Sequence, residues 1–160
     1  KQWCYEIVGN TTRIRANYLS LTGYRLPTEA EMEVAIRAGA KTRWHFGEGE
    51  DLLSQYSWYV GNSRDQPWPV GSKKPNDLGL FDVHGNSSAW CQEQFQSYPL
   101  GANPHEDKED TLTVDGQFDR VLRGGSFYDM ASDVRSAQRL AAVPAIHYNL
   151  IGFRLARTYR

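Results

Sequence analysis

The sequence of 160 residues is poor in the features that usually announce a partner or a reaction. Lysine and arginine number 18 against 19 carboxylates, a formal net charge of −1. Without a surplus of positive charge there is no electrostatic handle for nucleic acid or an anionic membrane. No apolar run approaches the length of a bilayer span and no signal-peptide pattern opens the chain, so membrane insertion is not expected and the compartment leans cytoplasmic. The chain starts at Lys1 rather than methionine, which reads as the C-terminal part of something longer. Its two cysteines, in QWCYE and AWCQE, show neither metal spacing nor a CxxC pair. Cys4 and Cys91 read as buried thiols packing as small hydrophobes, with a disulfide as the alternative in an oxidising compartment. His45, His84, His105 and His147 occur singly, not at ligand spacing. His84, just before Gly85, reads as a turn histidine with a satisfied ring nitrogen. Gly124-Gly125 follows a strand instead of opening a helix, which argues against a phosphate loop. Ser126 lacks a neighbouring base and a nucleophile elbow.

What is present begins with one clear helix. In YRLPTEAEMEVAIRAGA, Thr28 is a natural N-cap with Glu31 three residues on, a capping box in which each side chain satisfies the other's backbone N–H. Glu29 and Glu31 suit the positive end of the helix dipole. Met32, Ala35 and Ile36 form an apolar face, and Gly39 is placed to terminate the helix. A weaker helix is expected to end near Leu21. Beyond Ala40, Trp44, Phe46, Tyr56, Trp58, Tyr59 and Trp68 alternate with Gly, Asn, Ser and Pro, predicting irregular loops pinned by aromatic rings. GLFDVHGN reads as turn, short strand and turn. The polar run from Gly101 to Asp119 reads as a long exposed loop, and RVLRGGSF and IGFRLAR as short strands. Arg123, Arg135, Arg139, Arg154 and Arg157 gather around those strands, where guanidinium groups can satisfy loop carbonyls and carboxylates. There is no internal repeat, and the length suits a single domain over 1–160.

Three segments in this order, GYRLPTEAEMEVAIRAGA, NDLGLFDVHGNSSAWC and RVLRGGS with GFRLAR, resemble the formylglycine-generating-enzyme-like (sulfatase-modifying factor) family. The resemblance spans nearly the whole chain and implies an α+β, C-type lectin fold with few regular strands and long structured loops. Catalytic members oxidise a substrate cysteine with a copper-holding cysteine pair shortly after the Gly-Gly-Ser motif. The corresponding positions here are Asp129 and Val134, which cannot replace two thiolates around a soft ion. The family also binds calcium near the Gly-Asn turn. Asp82 and Gly85 are kept, but the usual Trp-Glu-Trp has become Ser88-Ala89-Trp90, so a structural turn is expected more than a weak calcium site at Asp82. The resemblance therefore implies a noncatalytic member without a cofactor or resident metal.

Inside the frame made by Gly124, Ser126, Arg135, Arg139 and Arg154 the residues follow no period. The first patch holds Phe127, Tyr128, Asp129, Ala131, Ser132 and Asp133; the second holds Leu140, Ala141, Ala142, Val143, Ala145, Ile146, His147, Tyr148, Asn149 and Leu150. Each of these types can be reached from an asparagine codon by changing adenines alone. Met, Trp, Lys, Glu and Gln cannot, and none occupies these positions. Met130 departs from the pattern within the span, and Gln138 lies between the patches. The pattern resembles the variable region, here about 127–150, of proteins diversified by diversity-generating retroelements, in which a C-type lectin fold displays a mutable ligand-binding surface on loops held by a stable frame. The implied function is noncatalytic binding of an unidentified ligand, a protein by default given a broad loop surface, with other domains of the same chain as further partners. The alternatives are an accessory domain of a larger bacterial signalling protein whose loops vary by drift, and an oxidase with a redesigned site.

Overall fold

The structure is a computed structural model that describes residues 2–98, 112–114 and 116–159. The capping box forms as expected. The Glu31 N–H donates to Thr28 Oγ1 at 3.1 Å, and the Thr28 N–H donates to a Glu31 carboxylate oxygen at 2.9 Å. Arg25, only 2% exposed, clamps the same carboxylate with two bonds of 2.6 and 2.7 Å. Helix α1 runs Glu29–Arg37 and buries Met32 and Ile36 against Val83, Ala89, Cys91 and Val121. It ends at the expected glycine: Ala38 is the C-cap, in the left-handed conformation at φ 49°, and Gly39 follows as the C′ residue at φ 90°. The weaker helix is a single 3-10 turn, Tyr18–Ser20, closed at Leu21.

Seven short strands are formed among the described residues: β1 (Tyr5–Val8), β2 (Thr11–Ile14), β3 (Ser88–Gln94), β4 (Thr113–Val114), β5 (Arg120–Arg123), β6 (Arg139–Ala142) and β7 (Ile151–Gly152). One sheet has the order β1-β2-β4; the other has the order β6-β5-β3-β7. In the second, β3 is antiparallel to β5 and parallel to β7, and β6 is antiparallel to β5. Few helices beside two mixed or antiparallel sheets make the class α+β, as expected. Alternation along β3 divides its neighbours: Ala89 and Cys91 join the core under α1, while Ser88 and Trp90 point to the opposite side.

Three sequence expectations change. GLFDVHGN holds no strand, because Asp82 in its middle has a φ of 53°, which an extended ladder cannot accommodate; Gly85 and Asn86, at 71° and 62°, take the left-handed angles that suit the expected turn. Most of the Gly101–Asp119 run lies outside the described residues; within it, Thr113–Val114 is a strand. In the closing segment only Ile151–Gly152 joins a ladder, and Ala156 makes an isolated bridge to Arg25.

Three of these arginines, Arg123, Arg139 and Arg154, hold the architecture together. Arg123, 1% exposed, donates to the carbonyls of Ser136, Ala137 and Gln138 and to Glu33 at 2.7 Å. Arg139 grips the buried Glu29 with two bonds of 2.6 and 2.8 Å. Arg154 donates to the carbonyls of Phe81 and Asp82. Arg123 and Arg154 hold loop carbonyls that no sheet ladder reaches, and Arg139 ties β6 to α1. The aromatic loops are pinned as predicted: Trp58 and Trp68 stack at 4.5 Å, and the Lys73 ammonium sits 3.6 Å over the Trp58 ring.

Candidate functional site

The first patch starts where β5 ends. Gly124 and Gly125 have φ of 93° and 73°, and a Cβ on Gly125 would lie 2.8 Å from Val134 Cγ1, so the turn requires glycine. Ser126 then donates its N–H and its hydroxyl to Asp129 Oδ2 at 2.7 and 2.9 Å. Ser126 thus has a carboxylate neighbour after all, but the pair closes a turn. The Asp129 carbonyl accepts the Val60 N–H at 3.0 Å. Phe127 is a correction: it is 2% exposed, and its N–H donates to the Asn86 carbonyl. A ring packed in the core cannot meet a ligand. Tyr128 is 59% exposed beside it. Ala131 packs partly against Trp44, Leu53 and Val134, Ser132 is exposed and Asp133 is half-buried.

The second patch runs along β6 and through the loop to β7. Two adjoining hollows open there. One, of about 400 Å³, is lined by Asp129, Leu140, Ala141, Ala142, Val143, Ile146, Tyr148 and Leu150. The other, of about 380 Å³, is lined by Ile146, His147, Tyr148 and Asn149. Ile146 and Tyr148 belong to both. Tyr148 is 60% exposed; His147 and Asn149 are also exposed. Of the first patch only Asp129 reaches this surface. Tyr128, Ala131, Ser132, Asp133 and, from the second patch, Ala145 line neither hollow.

Sequence reasoning missed the floor. Ser88, Asp119, Leu122, Ser126 and Ile151 complete the larger hollow, and Trp90 and Ile151 the smaller. All lie outside the patches, in or beside the frame. The usable signal was the period-two alternation at Ser88-Ala89-Trp90, which turns Trp90 away from the helix side.

The histidines also differ from expectation. His84 Nδ1 lies 2.8 Å from the Val134 carbonyl, which satisfies that nitrogen as anticipated, but its Nε2 lies 3.1 Å from His45 Nδ1. The rings stack at 5.1 Å and 7°. The contacts fit a neutral pair in which each Nδ1–H donates, His84 to the carbonyl and His45 to His84. Burial, and then the neighbouring His45, push His84 down to about 3; burial lowers His45 as well.

The copper chemistry does not fit. Asp129 is occupied by Ser126, and Val134 is fully buried against Trp44 and Leu53, so neither position offers a sulfur ligand. Cys4 and Cys91 are free and buried in different clusters; burial raises the Cys91 thiol far above its usual range. Among the described residues, no group of three or more His, Cys, Asp or Glu side chains could hold a metal. At the calcium-like turn, Asp82 Oδ2 accepts the Gly71 N–H at 2.7 Å while Oδ1 has no protein partner. Ala89, where the family carries glutamate, is buried under α1.

The Sulfatase-modifying factor enzyme 1-like domain matches residues 6–159. The chain belongs to this family. Its match to the solved structure of Treponema denticola variable protein 1 has a TM-score of 0.81 and 34% identity, covering 92% of this chain and 51% of that one. The serine/threonine-protein kinase pkn1 of Chlamydia caviae is 32% identical, covering 96% of this chain but 24% of the kinase. The formylglycine-generating enzyme of Streptomyces coelicolor is 32% identical over 87% of this chain and 48% of the enzyme. The chain thus spans a quarter to half of these relatives' lengths, and the sulfatase-modifying-factor domain occurs within larger proteins. Among the described residues no helix is long and apolar enough to cross a membrane.

Proposed function

We propose that this domain is a noncatalytic binding module that holds a protein ligand on the surface formed by β6 and the 143–150 loop, and that a diversity-generating retroelement varies that surface. The observation that carries the reading is the division of labour within the two hollows. Much of their lining comes from Asp129, Leu140–Val143 and Ile146–Leu150, whose types are adenine-accessible, while the rest comes from frame residues on or beside β3, β5 and β7. Variation on the wall leaves the helix-side core and the arginine ties untouched, so diversity and stability are separable. Likeness to a protein described as variable supports the same reading. The noncatalytic part rests on Asp129 and Val134, which leave the copper positions without thiolates.

The test is the DNA around the gene. A reverse-transcriptase gene, with a near-repeat of the Arg123–Arg157 codons differing mainly at adenines, is the expected finding. Its absence would leave a domain of fixed sequence. In the protein, Tyr148→Ala should weaken ligand binding at least tenfold while shifting stability by only about 0.5 kcal/mol, since the ring is exposed. Binding titration and urea denaturation measure the two sides.

A second reading has its own support. The kinase relative covers nearly all of this chain with a quarter of its own length, which favours an accessory domain of a larger signalling protein.

A further inference from the structure

We infer that the ligand presents a cationic side chain, arginine before lysine, to the larger hollow, and that Asp119 is a constant residue that selects for it. The inference rests on the binding surface proposed above and adds the chemistry of what enters it.

The hollow follows the β5–β6 ladder, in which Leu122 pairs with Leu140 and Arg120 with Ala142. Most of its lining is aliphatic, including Leu122, Leu140, Ala142, Ile146 and Leu150. Asp119, just before β5, and Asp129, beyond the glycine turn after β5, also line it. An aliphatic trough carrying carboxylates suits a long side chain with a hydrocarbon stem and a charged head. Among the described residues no lysine or arginine lines either hollow. The nearby Arg139 is spent on Glu29 and the Gln96 carbonyl, with its guanidinium 4.0 Å from the Tyr98 ring centroid. The adjoining hollow adds Trp90 and shares Tyr148, so an incoming guanidinium also meets aromatic faces, which it tolerates better than an ammonium does.

The two acids differ. Asp129 Oδ2 is taken by Ser126, and its codon lies in the variable patch. Asp119 is exposed and lies outside that patch; the Phe95 N–H donates to its backbone carbonyl, not to its carboxylate. A preference set by Asp119 would therefore persist through every variant of the wall.

The experiment selects binders from a phage-displayed library of randomised, disulfide-closed peptides, using this domain as bait. Each binder is then measured against the Asp119→Asn and Tyr148→Ala proteins, with thermal melts checking that both are folded. The expected result is enrichment of arginine and lysine, affinity falling as salt rises, and a loss of about three- to tenfold in Asp119→Asn. Binders that depend on Tyr148 but lack basic residues and ignore Asp119→Asn would overturn this inference and leave the binding surface standing. Binders indifferent to both substitutions would overturn the surface itself, and the inference with it.

Discussion

At the scale of the residue, Phe127 and Tyr128 are chemically close, adjacent in the chain and opposite in fate. Phe127 is 2% exposed and Tyr128 is 59% exposed. The glycine turn and the Ser126–Asp129 bonds set the direction of each side chain. Phe127→Ala should therefore cost about 3–5 kcal/mol, the usual penalty for emptying a buried aromatic site. Tyr128→Ala should stay within about 0.5 kcal/mol. Urea denaturation of the two variants checks both, and a large cost at Tyr128 would place its ring in the core. Adenine-accessible codons therefore do not by themselves mark contact residues: accessibility of the codon and accessibility of the side chain are separate properties.

At the scale of the element, the link between α1 and β5 is the one most exposed to damage. Arg123 belongs to the strand, yet its guanidinium holds Glu33 on the helix and three carbonyls of the 136–138 segment. Arg123→Ala would leave these acceptors without their donor in a buried place, a loss of about 3–5 kcal/mol by comparison with broken buried pairs. Arg123→Lys should recover little, because a point charge cannot serve a fork of four acceptors. Calorimetric melting of both variants measures the difference. Gly125→Ala is the complementary case at the turn. It forces a Cβ against Val134 at positive φ, and should destabilise the domain by about 1–3 kcal/mol and disturb the Ser126–Val134 segment, visible as amide exchange confined there.

At the scale of the whole molecule, the His45–His84 pair makes stability depend on pH. His84 falls to about 3 in the folded state, below the ordinary value of 6.5, through burial and the neighbouring imidazole. The unfolded chain therefore takes up protons first as pH falls. The His84 contribution is complete above about pH 6.5 and is lost progressively from there towards pH 3. For His84 the slope approaches about 1.4 kcal/mol per pH unit between those limits, and the lowered His45 adds in the same direction. Chemical denaturation at pH 7.5, 6.0 and 5.0 should show stability falling before carboxylates enter their range, and His84→Gln should flatten that part of the curve. A flat profile in the wild-type chain would mean that the pair is solvated.

Several features were legible in the sequence because their causes are local. The capping box needs only Thr28 and Glu31 at the right spacing. The strand at Arg120–Arg123, the start of the closing strand at Ile151–Gly152 and the framed composition of the 127–150 region are likewise written along the chain, as is the family. The tertiary structure decided the rest, because those features depend on residues far apart in sequence. His45 and His84 read as single residues until the fold stacked them. The segment between Gly79 and the Gly85-Asn86 turn looked able to form a short strand until a positive φ at Asp82 bent it. Phe127 looked like a contact residue until the fold turned it inward. The floor of the binding surface was hidden most completely, since Trp90, Asp119, Leu122 and Ile151 come from separate strands and their flanks, and only sheet pairing sets them beneath the variable loop.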